Sequence, residues 1–406
     1  MSSQTEPLRR GAAGGRSEGF VLACFGLLVA NVAFMVEAVL GRNWIIDAAG
    51  RPIHIDFTGI YAAGSLVRHG APAAAYDWTL HHFAENTIVG RDATSYFGWH
   101  YPPPFLIVAG LLACLPYAGA FFVWLAATLS LYLATIRLII GERIGWLVAG
   151  ALPCLIPNLM TGQNGFLTAS LVGGTLLLLQ EHPLAAGCCL GLLSYKPQFA
   201  VLLPLALMIG GHWRTIGVAT LTGVALVLAT VALFGVSTWE AFFHWLPLSS
   251  TALLSHDHAG WYKLQSLFAL VRMLGGGAAL AWTLQVGLTA LAACVLCAMW
   301  WNRRIAFELK AAAAAACVPL ATPYVYLYDL SVLGVAGAFF LRHVLATGFR
   351  SGEIAGLAVI TALLLIMPFL DVPVGLIVTL ILASLIARRA FFPQVARSAI
   401  AADART

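Results

Sequence analysis

Apolar runs of about 15 to 25 residues recur along this chain with almost no charge inside them, and a run of about 20 is long enough to cross a bilayer as a helix. That pattern constrains the fold more than any single motif. A window of about 19 residues places the runs near 20–40, 103–117, 119–140, 144–160, 165–180, 184–210, 215–235, 263–300, 306–322, 325–341, 353–370 and 374–388. The run at 263–300 contains Gly275, Gly276 and Gly277, which predict a short helix, a break and a longer helix. Of 406 residues, 61% are hydrophobic and 10% charged, against roughly 25% charged in an ordinary soluble domain. This balance excludes a cytosolic enzyme, a disordered chain and a disulfide-stapled secreted domain. The expected fold is all-α and polytopic, with about ten to twelve transmembrane helices.

Basic residues cluster between the runs: Arg9, Arg10 and Arg16; Arg303, Arg304 and Lys310; Arg342 and Arg350; Arg388, Arg389 and Arg397. Lys and Arg are retained in cytoplasmic loops, so residues 1–19 and 391–406 are expected to be cytoplasmic tails around one membrane domain, 20–390. The clusters are too dispersed for one nucleic-acid patch. Counting from a cytoplasmic N-terminus puts Arg137 to Arg143 outside, against the same rule. Either one helix within 103–160 is miscounted, or Glu142 between the arginines softens the rule. The run from Phe20 to Leu40 is longer than a signal-peptide core and predicts an uncleaved anchor. All eight cysteines fall in apolar stretches. The CxxC of Cys294 and Cys297 lies in AACVLCAMW, and both are expected to be small hydrophobes.

Residues 41–102, directly after the first span, form the expected first outer loop. It holds nine of the chain's 39 charged residues and five of its 11 histidines. Phe57 to His69 has helical apolar spacing, with Phe57, Ile60 and Tyr61 on it. Trp78 to Val89 does too, with Asp77 as its N-cap. Short amphipathic helices at the membrane surface fit this pattern. A second outer loop is expected at 236–262. Two ordered, aromatic-rich loops predict a site at the outer face.

Several residues there could carry chemistry. Asp56, in RPIHIDFTGIYAAG, is either the N-cap of the following helix or a general base at the water–bilayer boundary. His100 and Tyr101 precede Pro102, Pro103 and Pro104, which impose an extended junction into the next helix; the two could also touch ligand. Gln163 and Asn164 lie in a turn that Gly162 and Gly165 permit, where they either satisfy helix ends or bind a polar ligand. Lys196 sits inside an apolar run beside Pro197. An intramembrane Lys marks a functional site by default, with an anion such as a lipid phosphate as its expected partner; the alternative is snorkelling to an interface. Ser255, His256, Asp257 and His258 look like a fragment of a metal site without a companion cluster, so His256 and His258 are assigned to substrate contact or loop polarity. Lys263 and Arg272 follow at a helix start, where they could face lipid head groups. In ATPYVYLYD, Tyr324 and Tyr328 are expected on one helical face. Asp329 is an acid at a span edge that needs a partner or water.

The order of these motifs is familiar: DFTGIYAAGSLVRHGAPAAAYD, HYPPP, GQNG, YKPQ and ATPYVYLYD, over about residues 50 to 335. Together they resemble the polyprenyl-phosphate-sugar-dependent glycosyltransferases of the GT-C superfamily, in particular family 87, the alpha-mannosyltransferase-like group. The resemblance implies a GT-C-like helix bundle in a cytoplasmic (inner) membrane, with a first outer loop that carries the catalytic Asp and a site facing the periplasm or exterior. It also implies a polyprenyl-phosphate sugar donor and no nucleotide-sugar domain. Carried over, Asp56 would be the general base, Tyr101 and the prolines would shape the cavity, and Gln163, Asn164 and Lys196 match recurrent polar positions of the family. The candidate substrate-binding positions of this chain are Tyr61, His100, Tyr101, Gln163, Asn164, Lys196, His256, His258, Tyr324, Tyr328 and Asp329. Family members often carry a His in the late tyrosine-rich segment, where this chain has Tyr328 and Asp329.

The expected reaction transfers a hexose, mannose by analogy, to a hydroxyl of a lipid or glycan acceptor with inversion. The lipid-linked sugar is a substrate. No cofactor is expected, and a metal is not favoured. The competing class is a secondary transporter or lipid flippase, which would match the helix count and Lys196 but not the long ordered loop.

Overall fold

A computed structural model describes residues 6–93, 95–255 and 260–392 of the chain. Among them the regular structure is helical, and strand pairing is limited to two isolated antiparallel bridges, Ile46 with Pro52 and Leu264 with Tyr326. Among the described residues six helices are long and apolar enough to cross a membrane: Glu18–Leu40, Tyr117–Ile140, Trp213–Phe234, Ala278–Trp301, Leu327–Thr347 and Val374–Phe391. A seventh crossing results if Ile144–Ala151 and Leu155–Thr161, bent by 63°, form one span. Pro153 accounts for the bend. Leu152 before it is extended at ψ 121°, the conformation a following proline favours.

The remaining apolar runs fold as shorter helices, among them Gly165–Leu178, Pro183–Leu192, Leu202–Ile209 and Glu353–Ile366. The chain is therefore all-α and polytopic. However, only some of the ten to twelve apolar runs are full-length spans, because prolines and glycines cut the others. Leu221, Leu228 and Leu233 on Trp213–Phe234 are 63–69% exposed. A continuous apolar surface of that kind suits lipid.

The helices run between two ends. One end gathers arginines. Arg389 pairs with the buried Glu353 at 2.6 Å, and Arg342 donates to the Ile139 carbonyl at 3.3 Å. The other end carries residues 41–103. Tyr117–Ile140 joins the two, because the Tyr117 hydroxyl meets Thr58 at 3.0 Å while Ile139 lies beside Arg342. Arg137 and Arg143 thus belong to the arginine end, which resolves the topological conflict.

The miscounted helix is the run at 103–117. Its helix, Pro104–Leu112, has nine residues, about 14 Å of rise, too short to span. Arg68 donates to the Ala113 carbonyl at 2.7 Å and Tyr61 to the Leu115 carbonyl at 2.8 Å. The chain dips into the bundle and returns to the end it left.

Residues 41–102 hold the two expected helices, Asp56–Arg68 and Trp78–Val89. Asp77 caps the second as expected, accepting from the Thr79 and Leu80 amides at 2.9 and 3.0 Å. The segment expected as a second loop is mostly the helix Val236–Ser255, with Pro247 inside it. Its aromatic face explains the difference. Phe242 packs on Tyr76 at 5.6 Å and Trp245 stacks on Trp78 at 5.9 Å, so the two polar segments cover each other. The glycine break at 275–277 separates Leu267–Met273 from Ala278–Trp301 as expected.

Candidate active site

Asp56 is the first residue of its helix and does not cap it. The N-cap is Ile55, in extended conformation, and Thr58 closes the first turn by accepting from the Ile55 amide at 3.1 Å. The N-cap reading of Asp56 is therefore corrected: Thr58 does that work and also holds Tyr117, leaving the Asp56 carboxylate free to point elsewhere. Its Oδ1 accepts from Gln163 Nε2 at 3.4 Å, and no side chain among the described residues reaches Oδ2. The carboxylate is partly buried. Burial pushes its pKa up to about 6, against the Gln163 hydrogen bond, which lowers it.

Gln163 is held in one orientation. Its Oε1 accepts from the Tyr101 hydroxyl at 2.9 Å and the Asn164 amide at 3.2 Å, so its NH₂ group faces Asp56. Tyr101 is fixed in turn, because its carbonyl accepts from Tyr76 at 3.0 Å and its ring packs edge-on to Phe105 at 4.9 Å. The proline run thus does more than form a junction: it sets the tyrosine that sets the glutamine.

Lys196 lies at the turn between the short helices Pro183–Leu192 and Leu202–Ile209. The anion it meets is Asp329, not a lipid phosphate. The two form a buried ion pair, and Asn164 Oδ1 accepts from the same ammonium at 3.1 Å. Asp329 Oδ2 also accepts from the Tyr326 amide at 3.0 Å. An unpaired ammonium in this apolar interior would be expensive, which is why Asp329 and Lys196 meet across 133 residues of sequence.

The segment 322–326 is not helical, so Tyr324 and Tyr328 do not share a helical face. Pro323 and the amide of Gln265, which donates to the Val325 carbonyl at 2.7 Å, hold it extended. The rings that meet are Tyr326 and Tyr328, stacked at 5.5 Å and 8°. Both lie within electrostatic reach of Asp56, as does Tyr101. The exposed Lys263 also acts on Asp56.

Two motifs touch directly at Gly165, where a Cβ would overlap the Tyr328 carbonyl oxygen. Gly165→Ala is expected to lower stability by about 1–3 kcal/mol and to separate Asn164 from Lys196. A thermal melt of the variant in detergent checks it; an unchanged melting temperature would contradict the close packing.

The structure thus gathers Asp56, Tyr101, Gln163, Asn164, Lys196, Tyr328 and Asp329. It does not gather Tyr61, whose hydroxyl is bound to the Leu115 carbonyl; Tyr324 packs with Tyr326 against the cluster of Leu264 and Phe268. His100 lies towards His81 and away from this cluster; burial pushes its pKa down to about 4. His256 and His258 lie outside the described residues.

Sequence reasoning missed Tyr326 and the link from Lys263 to Asp56. It also missed a second cluster behind the Asp56 helix. There the buried Glu85 accepts from the Phe97 amide at 3.3 Å and meets His54 at 3.3 Å, while His81 bonds the Gly59 carbonyl at 3.0 Å. Burial raises the Glu85 pKa and lowers that of His81 to about 4. The spacing of His81 and Glu85, four apart on one helix, was the available signal.

A bundle of lipid-facing helices with a carboxylate, an oriented amide and a buried ion pair gathered in one cluster defines a multi-pass membrane protein. Residues 99–323 match glycosyltransferase family 87, and the chain belongs to that family. It is a membrane glycosyltransferase and acts on a sugar donor and an acceptor. Comparison with curated proteins and with solved structures returned no match.

Proposed function

We propose that the protein transfers a hexose, mannose by the resemblance described above, from a polyprenyl-phosphate donor to a hydroxyl of a lipid or glycan acceptor, with Asp56 as general base. The observation that carries this reading is the Asp56 carboxylate itself. It is partly buried at a helix start, has one oxygen held by Gln163 and the other without a side-chain partner among the described residues, and burial pushes its pKa up to about 6. A base poised near neutrality is effective at physiological pH.

In the proposed step the acceptor hydroxyl gives its proton to Asp56 as its oxygen bonds to the anomeric carbon. The bond from that carbon to the phosphate oxygen breaks, and polyprenyl phosphate leaves. The phosphate is already a good leaving group, so no second, acidic carboxylate is required, and single displacement inverts the centre. Lys263 is exposed, has no ion-pair partner among the described residues and acts on Asp56; it supports a role in meeting the donor phosphate. Lys196, neutralised by Asp329, supports a positioning role through its hydrogen bond to Asn164. No cofactor takes part in this scheme.

The arginine-rich end fits the cytoplasmic side by the retention of Lys and Arg there. Asp56 would then face the exterior or periplasm of a cytoplasmic membrane, where residues 41–102 form the first outer loop.

Incubating the purified protein in lipid with polyprenyl-phosphate sugars and membrane extract, with mass spectrometry of the products, tests donor and acceptor together. Substrate accumulation in sealed vesicles with no new glycosidic bond would favour transport instead. The proposal also fixes a pH dependence. kcat/KM for the free enzyme is expected to rise with pH to a plateau, with its half-point at about 6. The stability effect has the opposite sign. Because folding raises this pKa, the stabilisation from neutral Asp56 is complete below about pH 4 and is lost as the pH rises through about 6. A kcat/KM profile flat from about pH 5 to pH 8 would remove Asp56 from the role.

A further inference from the structure

At the arginine end, far from Asp56, a cavity of about 760 Å³ opens where Ala278–Trp301 ends and Phe307–Cys317 begins. Its wall has two chemistries. Arg303, Arg304 and Lys310 bring cationic groups beside His212, while Trp301 and Phe307 bring aromatic surface. Among the described residues no carboxylate lines it. Glu308, next to Phe307, is turned to Arg342 at 3.8 Å. The Arg303 charge acts on Lys310, and burial together with the Lys310 charge lowers the His212 pKa and keeps that ring neutral.

Lys310 is held at the wall. Its Nζ donates to the Trp300 carbonyl at 3.3 Å, and Trp300 Nε1 donates to the Lys310 carbonyl at 3.2 Å. Arg303 and Arg304 are exposed and have no ion-pair partner among the described residues. Like charges gathered without a counter-ion repel one another, and an anion in the cavity relieves that repulsion.

The position of the cavity selects the kind of anion. Ala278–Trp301 starts near Leu264 and Gln265, which pair with Tyr326 and Val325 at the Asp56 end. It runs 24 residues, about 36 Å, to reach the cavity at the opposite face. Trp301 at its tip is 79% exposed and Trp213 nearby is 63% exposed. Exposed indoles beside cations at the end of an apolar helix mark the membrane–water boundary. A free phosphate ion would use the cations but leave the aromatic surface idle.

We propose that this cavity binds the phosphate headgroup of an anionic membrane lipid in the leaflet opposite the Asp56 site. Arg303 and Arg304 grip the phosphate through their planar guanidinium forks, Lys310 adds a third charge, and the exposed Trp301 and the half-buried Phe307 face the upper acyl chain. Basic pockets between transmembrane helices suit such headgroups.

Native mass spectrometry of the full chain, with phosphatidylglycerol and phosphatidylcholine supplied in turn, reads the site. Phosphatidylglycerol is expected to be retained in preference. The double variant R303Q/R304Q is expected to lose it roughly 30-fold, each cation contributing about a factor of five. Both side chains are exposed, so the variant should melt with the parent. R91Q, an exposed arginine at the other end, controls for overall charge and is expected to leave retention unchanged. Equal retention by R303Q/R304Q, or equal loss in R91Q, overturns the proposal. So does inorganic phosphate that raises the parent's melting temperature as much as phosphatidylglycerol does, which would assign the cavity to a soluble phosphate.

Discussion

Asp56→Asn is expected to lower sugar transfer on the order of 10³-fold while the protein still inserts and folds. The substitution is close to isosteric and removes only the ability to take a proton. The helix start does not depend on it, because Thr58 accepts from the Ile55 amide and anchors Tyr117. The Gln163 amide would still find an oxygen at position 56. Ionised Asp56 is disfavoured by its surroundings, so the Asn variant should melt at the same temperature as the parent or slightly above it. Product formation by mass spectrometry and a thermal melt together make the test. Full activity in a folded Asp56→Asn variant would exclude the carboxylate as the base.

The second large effect concerns the ion pair beneath the site. Asp329→Ala strands the Lys196 ammonium in an apolar interior, with Asn164 as its remaining hydrogen-bond acceptor. Breaking a buried pair by removing one partner costs about 3–5 kcal/mol, so the variant should melt far below the parent. Removing both charges together has a different outcome. K196M/D329L replaces the pair with apolar groups and should recover most of the lost stability. Its transfer activity should remain low, because Asn164 and the Tyr326 amide lose the partners that position them. If Asp329→Ala costs less than about 1 kcal/mol, or if the double variant melts no higher than the single, the pair does not organise this part of the bundle.

Features encoded within one helical turn were legible from residues alone. The Asp77 cap, the break at Gly275 to Gly277 and the helix beginning at Asp56 depend on neighbours in sequence, and they form as expected. The family was legible too, because its motifs are short and ordered along the chain. Errors arose where a local rule met a distant contact. Asp56 satisfies the composition rule for an N-cap, yet Thr58 takes that bond. Tyr324 and Tyr328 have helical spacing, yet Gln265 holds the backbone extended. The apolar run at 103–117 has the hydropathy of a span, yet Pro104 starts only a nine-residue helix.

What the sequence determined by itself is the solvent: so many apolar residues with so few charges can fold only where lipid covers them, and every backbone group in such a setting must bond within a helix. It also supplied the polar residues that such a setting makes conspicuous. Only the tertiary structure decided how those residues pair. A buried charge must find its opposite somewhere in three dimensions, and sequence distance says nothing about where; Lys196 and Asp329, 133 positions apart, meet because neither could remain buried alone.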